Sequence, residues 1–337
     1  MVDDGRRRFA EREQLSGIVR EVFGADCRLN AVERLRGGSK KGVYRLSFGD
    51  GLSAVLYAWS ADEDFWPAGS QGGEADPFSH ASGLRLFEAG QARLSSLGVR
   101  VPELYFADRS RKHHPEADIA LIEDVRGGTL ETLLRDDPVE GERVLDRLAA
   151  GLAAMGRDRA RHLGKVASVE DGMAPQGRSS VEVVLERALK DLGEAAGRVE
   201  RIDQAREGFE RALRGMAAVV EPREDYGLIH GELGPDHVLV NDQGEPVLID
   251  IEGTMFFDVE WEHVFMQFRF HEFYERLRID GLDERRMRLY RLAQHLSLVA
   301  GPLRLLDGDF PDREFMIGIA KGHTEGALRF LRDYRTP

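Results

Sequence analysis

Cysteine occurs once in this chain, as Cys27, so no disulfide can form within it and a reducing compartment is expected. Lysine is also scarce: six of the 47 basic residues are lysine and the rest arginine. No stretch approaches the roughly 20 consecutive apolar residues that a spanning helix needs. The opening residues, MVDDGRRRFAEREQ, lack the apolar segment of a secretory signal. A cytoplasmic protein with no membrane association is therefore expected. Positive charge is in deficit, 47 basic against 60 acidic residues for a net −13, which argues against a general nucleic-acid partner. That balance is compatible with a cationic substrate but is ordinary for an acidic enzyme. The chain has no HExxH, no CxxC and no GxSxG elbow, so the familiar zinc-peptidase, thiol-redox and serine-hydrolase patterns are missing. Its adjacent pair His113-His114 sits in a charged turn and reads as solvated. No internal repeat or low-complexity segment is present.

What remains is ample for a core: 42% of 337 residues are hydrophobic, and the length suggests about two domains. Residues 7–23 carry Leu15, Ile18, Val19, Val22 and Phe23 on one helical face, and Gly24 ends the run. Short strand candidates follow at 28–36, 43–48 and 53–59, with a glycine loop, Gly37-Gly38-Ser39-Lys40-Lys41-Gly42, between the first two. Residues 60–82 show no period and read as a long surface loop pinned by Phe65 and Trp66. A helix over 83–96 has Leu84, Phe87 and Leu94 on its inner side, with Glu88 on or beside that face. Strands at 99–108 and 118–125 lead to Arg126-Gly127-Gly128. Beyond them the period is helical, over 139–162, 181–192 and 202–220, and again from 256 to Tyr334.

The chemistry concentrates in one stretch, LIHGELGPDHVLVNDQGEPVLIDIE, Leu228 to Glu252. Two apolar runs, Val238 to Val240 and Val247 to Ile249, flank a turn-rich cluster and suit a small hairpin. His230, Glu232, Asp236 and His237 precede it, and Asp250 and Glu252 follow. So many carboxylates and imidazoles at the ends of one hairpin are costly unless a cation or a reacting group offsets them, which marks an active-site floor. A carboxylate base five residues before a metal ligand, then an aspartate at a strand end, is the spacing of a phosphoryl-transfer site.

The runs HGELGPDH and LIDIE resemble the HGDxxxxN and IDxE signatures of the aminoglycoside phosphotransferase and choline kinase family. That resemblance implies an α+β, bilobal protein-kinase-like fold, with a small antiparallel-sheet N-lobe (1–124) and a mostly helical C-lobe (125–337). It implies a small-molecule kinase moving the γ-phosphoryl of ATP or GTP to a hydroxyl of an antibiotic, sugar or amino alcohol, with a resistance role by family habit. Glu232 would take the hydroxyl's proton, and His230 would organise the loop. Asp250 would hold Mg²⁺ or Mn²⁺ against the phosphates, with Glu252 a further ligand candidate. Gly38, Ser39, Lys40 and Lys41 would cover the phosphates. Glu88 would pair with a strand lysine, the backbone of Ile122, Glu123 and Val125 would meet the purine edge, and Asp258 would support the catalytic loop.

Three positions depart from the family. Glu232 stands where the family has Asp, and His237 where it has Asn. Tyr57 occupies the strand-lysine position. Imidazole is a poor direct ligand for hard Mg²⁺, so three readings of the metal site stay open: Asp236 replaces the amide, His237 selects a softer ion such as Mn²⁺, or His237 binds no metal. For the missing lysine, Lys40 and Lys41 are candidates, as in kinases of the with-no-lysine type. The second function class is a catalytically inactive kinase fold used as a binding or regulatory module. Glu260, Glu262 and Glu272 either meet a cationic substrate or form a solvated helix face. The acceptor and the oligomeric state are unreadable.

Overall fold

The amphipathic helix α1 (Arg12–Phe23) buries Leu15, Ile18 and Val19 against one face of a sheet, the arrangement its 3.6-residue apolar period dictates. The computed structural model describes residues 7, 9–49, 51–67, 73, 76–114, 116–174 and 177–334. The expected turn at Asp50 and part of the expected loop over 60–82 lie outside the described residues. The sheet is antiparallel, built from β1 (Leu29–Arg34), β2 (Gly42–Phe48), β3 (Ser53–Trp59), β4 (Leu104–Asp108) and β5 (Asp118–Glu123), in the order β1-β2-β3-β5-β4. Strand β3 is buried on both faces. Ala54, Leu56 and Ala58 pack toward α1, whereas Val55, Tyr57 and Trp59 pack toward helix α2 (Leu84–Ser96) and the other lobe. This is the small lobe.

Past the hinge the chain is mainly helical: α3 (Leu130–Asp136), α4 (Pro138–Arg157), α5 (Val166–Glu170), α6 (Ser180–Ala196), α7 (Glu200–Gln204), α8 (Arg206–Ala217), α9 (Val259–Phe270), α10 (Glu284–Leu305) and α11 (Arg313–Asp333). Local signals set their starts. Asp137 caps α4 ahead of Pro138, Ser179 and Glu182 form a reciprocal capping box on α6, and Asp283 accepts two amides at the start of α10. The continuous helix expected over 202–220 is instead two, broken near Ala205.

Short strands thread between these helices. A four-stranded sheet, ordered β6-β8-β11-β7, joins β6 (Arg159–Ala160), β7 (Gly164–Lys165), β8 (Tyr226–Ile229) and β11 (Met255–Phe257). The expected hairpin is β9 (Val238–Val240) with β10 (Pro246–Leu248), registered Pro246 to Val240. Antiparallel pairing of Met255 with Ile229 brings the end of β8 beside the start of β11. His230 and the 250–254 turn are thus neighbours although some 20 residues separate them.

Two glycines set how closely the parts approach. A Cβ on Gly127 would lie 1.7 Å from the Val240 carbonyl oxygen, so the hinge lies directly on the β9–β10 hairpin. A Cβ on Gly90 of α2 would lie 2.7 Å from the Ile251 carbonyl oxygen, so α2 leans on the turn that carries Asp250.

Candidate active site

The loop after β8 is held rigid by side chains that take up its backbone amides. Glu262, buried on α9, accepts from Gly231 N at 2.7 Å and Leu233 N at 3.0 Å. His230 is buried, and its Nε2 lies 2.9 Å from the Ile249 carbonyl oxygen, so that nitrogen carries the proton and donates across to the strand leading to Asp250. His237 Nδ1 likewise donates to the Glu232 carbonyl oxygen at 2.8 Å, which turns its Nε2 toward Asp236 and Asp250, 3.9 Å from a carboxylate oxygen of each. Between these anchors the Glu232 carboxylate reaches toward solvent, its side chain 58% exposed, with the Lys40 ammonium 3.6 Å away.

Asp250 adopts left-handed backbone, φ 59° and ψ 42°. Among L-residues only Asn and Asp reach that region readily, and strain of this kind gathers at functional sites. The turn aims Asp250 and Glu252 at one cation. Lys41 Nζ lies 2.7 Å from Asp250 Oδ1 and 2.6 Å from Glu252 Oε1, with the lysine side chain only 5% exposed. Trp59 Nε1 donates to the same Glu252 oxygen at 3.2 Å, and the Lys41 ammonium sits 4.6 Å from the centre of the Tyr57 ring. Burial disfavours charge on Lys41, but Asp250 and Glu252 outweigh it and raise its pKa well above the lysine range. Burial likewise opposes ionisation of Asp250, and Lys41, His237 and Lys40 overcome it, holding that carboxyl far below the usual range. Lys40 lies 3.6 Å from Glu232, and its charge is the main reason that the Glu232 pKa is lowered.

The glycine loop that carries both lysines is tied to the following segment. Ser39 Oγ accepts from Trp66 Nε1 at 3.0 Å, the Ser39 carbonyl accepts from Phe65 N, and Ser82 Oγ donates to the Lys40 carbonyl. Gly37 and Gly38 take positive φ, 97° and 75°. Ser39, Lys40, His230, Glu232, His237, Asp250 and Glu252 all line one cavity of about 590 Å³ that runs from this loop into the helical lobe as far as α10 and α11. A volume of that size suits a ligand of several hundred daltons.

Several expected placements need correction. Glu88 does not meet the lysine. It forms a surface ion pair with Arg109, because the buried side of α2 passes through Leu84, Phe87, Gly90 and Leu94 and leaves position 88 turned away. Phe87 packs edge-on against Tyr57 in its stead, and Glu252 is the carboxylate that pairs with the cation. Glu252 is 3% exposed and committed to Lys41 and Trp59 through Oε1, while its Oε2 has no hydrogen-bond partner among the described residues. Ile122 and Glu123 lie within β5, where Ile122 is registered against both Val55 and Leu104 and Glu123 N donates to the Glu103 carbonyl. Only Val125 of the three lies past the strand. Asp258 supports the C-lobe helices rather than the catalytic loop: buried, it accepts from Ser180 at 2.6 Å, Arg286 at 2.5 Å and Tyr290. Glu260 and Glu262 are neither solvated nor substrate-facing, being buried on Arg223 and on the catalytic-loop amides; Glu272 is exposed.

Donor chemistry decides whether a divalent ion fits. The Asp250 Oδ2 and Asp236 Oδ2 oxygens converge on His237, and an ion that keeps most of its waters and takes phosphate oxygens needs only one or two carboxylates from the protein. Among the described residues no group of three or more His, Cys, Asp or Glu forms a ready-made cage. Asp236 is also held by Arg269 at 2.7 Å. Burial works to raise the Asp236 pKa, and the charges of His237 and Arg269 more than offset it and lower it.

The model of the phosphotransferase enzyme family matches residues 75–295, about two thirds of the chain, including the whole catalytic loop and the Asp250 turn. This chain belongs to the phosphotransferase enzyme family. No curated protein sequence matches it. Among solved structures, a thermostable mutant of the aminoglycoside phosphotransferase APH(4)-Ia superposes with a TM-score of 0.62 at 17% identity, covering 92% of this chain and 98% of the other. The choline kinase LicA from Streptococcus pneumoniae gives 0.59 at 14% identity, over 95% and 99%. A putative fructosamine-3-kinase from Thermobifida fusca YX-ER1 gives 0.53 at 20%, over 95% and 100%. At these identities the likeness establishes the fold, a bilobal kinase-like one.

In this family member the sequence pattern points Glu262 to the wrong task and gives no place to Asp124 and Trp59. Asp124 accepts from Arg45, Ser53 and Arg126 and so pins the hinge to β2 and β3. Its place between a strand end and an Arg-Gly-Gly run was the available signal. Nothing local distinguishes Glu262 from Glu260, two residues before it on the same helix.

Proposed function

We propose that this phosphotransferase is a small-molecule kinase that moves the γ-phosphoryl group of ATP or GTP to a hydroxyl of an acceptor such as an antibiotic, sugar or amino alcohol. The observation that carries the reading is the Lys41 ammonium bridging Asp250 and Glu252 at 2.7 and 2.6 Å, with the exposed Glu232 carboxylate, 3.6 Å from Lys40, lining the 590 Å³ cavity. Phosphoryl transfer asks a protein chiefly for position and for charge against the phosphates. Lys41 and Lys40 are the cations nearest that point, which gives the glycine loop the task a strand lysine would have at position 57.

Glu232, anchored on both sides by Glu262, orients the acceptor hydroxyl and takes its proton as the new O–P bond forms. The bond from the γ-phosphorus to the β,γ-bridging oxygen breaks, and the nucleoside diphosphate leaves. Asp250 and Asp236, with His237 between them, would hold Mg²⁺ or Mn²⁺. When bound, that ion supplies positive charge to the β- and γ-oxygens. Backbone groups beyond β5, at Asp124 and Val125, are the hinge positions offered to a purine. In the family, the APH(4)-Ia complexes hold ADP or AMP-PNP together with hygromycin B, which supports both a nucleotide and a small-molecule acceptor here. No helix of the described residues is long and apolar enough to cross a membrane, which agrees with a cytoplasmic kinase.

The test is thermal. ATP with Mg²⁺ or Mn²⁺ raises the melting temperature, and Glu232→Gln abolishes turnover while keeping that rise. A chain whose melting temperature ignores nucleotide under both metals is instead the inactive binding module.

A further inference from the structure

Buried in the lining of the same cavity lies a lysine that no carboxylate contacts among the described residues. Lys165, at the end of β7, is 4% exposed, and among the described residues no Asp or Glu comes within ion-pair distance of it. Its Nζ donates to the Ser79 carbonyl at 2.7 Å and the Ser79 hydroxyl at 2.5 Å, which leaves one N–H. Arg187, on α6, donates to the preceding carbonyl, that of Phe78, at 3.2 Å, and to Ser297 Oγ at 3.1 Å, while its Nε has no hydrogen-bond partner among the described residues. Two cations therefore converge on consecutive carbonyls of one strip of backbone; Lys165 keeps a donor to spare, while the Arg187 Nε lies 3.4 Å from Asp191. Burial, with the repulsion of Lys40, outweighs the more distant pull of Asp76 and Glu232 and pushes the Lys165 pKa down to about 8.

The surroundings reinforce the asymmetry. The chain is acidic, at −13 overall, yet this side of the cavity is lined by Lys165, Arg178, Arg187, Lys190, Arg269 and Arg304; Arg178 pairs with Glu186, Arg269 with Asp236 and Arg304 with Glu194, which leaves Lys165 and Lys190 without an ion-pair partner among the described residues. Asp191 is shared, 3.4 Å from Arg187 and 3.5 Å from Arg304. Aromatic rings floor the space: Phe78 and Trp261 touch with centroids 4.6 Å apart, and Phe265 and Trp66 also line it. A buried ammonium with only neutral partners is costly, and an anion supplied by a ligand removes that cost.

We infer that the acceptor carries an anionic group, a carboxylate or a phosphate monoester, which seats against Lys165 and Arg187 while its hydroxyl faces Glu232. This rests on the kinase reading of the site and narrows it. An ammonium-bearing acceptor would set its charge beside these cations. An apolar body with a hydroxyl at one end and an anion at the other matches both the charge and the aromatic floor.

The experiment is calorimetric titration of the full chain with four compounds of one frame: 4-(hydroxymethyl)phenylacetate, its phosphate-monoester counterpart, its amide and its amine. The expected result is that one or both anions bind about 10-fold or more tightly than the amide and amine, the value of one charge-assisted hydrogen bond. Which anion leads names the source. Because the glycine-loop lysines also attract anions, the variants decide: Lys165→Met erases the preference, and Arg187→Gln, on a different element, does the same should the first not fold. Equal binding of all four, tightest binding of the amine, no binding of either anion, or a preference that survives both variants overturns the inference. The ATP-dependent rise in melting temperature is read on the same samples. Its absence with the anion preference intact removes the kinase reading and leaves the anion site standing.

Discussion

Lys41→Met tests the centre of the argument. The substitution keeps the length and apolar stem of the side chain and deletes only the ammonium, so the shape of the glycine loop is spared. It strands Glu252, which is 3% exposed and keeps only the Trp59 indole as a donor, whereas Asp250, 37% exposed, can recover water. Removing one partner of a buried ion pair costs about 3–5 kcal/mol, because the survivor's charge is left without solvent or counterion. With unfolding entropy of roughly 2.1 cal/mol/K per residue, 337 residues convert this to a fall in melting temperature of about 4–7 °C. Glu252→Gln in the same chain restores most of that loss, since a neutral amide tolerates burial next to an indole donor. The pair therefore shows strong coupling in a double-mutant cycle. On the pH axis the sign is fixed by the shifts at both ends. Asp250 has a depressed folded pKa, so its contribution is present above the ordinary carboxylate value and is lost as pH falls through the folded one. Lys41 has a raised folded pKa, so its contribution is present below the ordinary lysine value and is lost only as pH rises through the folded one. Function has its own readout: the ATP-dependent rise in melting temperature shrinks in Lys41→Met and returns in part when Tyr57→Lys is added, because the Tyr57 ring lies 4.6 Å from the ammonium it would replace. Urea melts and nucleotide titrations of the five chains, wild type, Lys41→Met, Glu252→Gln and the two double variants, settle it. Unchanged stability together with an unchanged nucleotide response in Lys41→Met would refute the reasoning.

Two further perturbations follow from the same geometry. Glu262→Gln leaves one acceptor oxygen for the two amides of Gly231 and Leu233, so the catalytic loop loosens; kcat falls about 10- to 100-fold while the nucleotide shift is kept, measured by steady-state kinetics with a melting control. Burial lowers His263 and His323 to about 4 and His295 to about 3, and the His295 and His323 Nδ1 atoms lie 2.9 Å apart, where two protonated rings would set donor against donor. The unfolded chain binds protons at these sites near pH 6.5 and the folded chain does not, so stability is full above that value and falls as pH drops toward 4, by a total on the order of 9 kcal/mol. Urea midpoints taken from pH 7.5 to 4.5 check this, and replacing both histidines of the pair with Gln flattens the curve.

The parts of this site that were legible in the sequence are those fixed by local spacing. His230, Glu232, His237 and Asp250 belong to one loop, one hairpin and one turn, so separation along the chain translates almost directly into separation in space. The glycine-loop lysines stood out because lysine is rare here and two of the six are adjacent. What escaped was whatever depended on the rotation or docking of a helix. One residue on a helix is 100°, enough to send Glu88 to the surface and Phe87 inward, and no pattern around 84–96 reveals that the missing counter-charge is supplied by Glu252. Asp258, Glu260 and Glu262 lie within five residues, yet they bind the helices α6 and α10, the Arg223 side chain and the catalytic loop respectively. The sheet β6-β8-β11-β7 was missed because strands of two to four residues carry no measurable alternation.

The position of Lys41 has a mechanical corollary. A cation rooted in β3 would stay with the sheet however the flap above it swung. Here the charge hangs from the glycine loop itself, one residue before β2, so in the proposed kinase any lifting of that loop would uncover the phosphates and withdraw their counter-charge in the same stroke. Grip and cover would be inseparable in such a clasp, and the spent diphosphate would be let go as it opened.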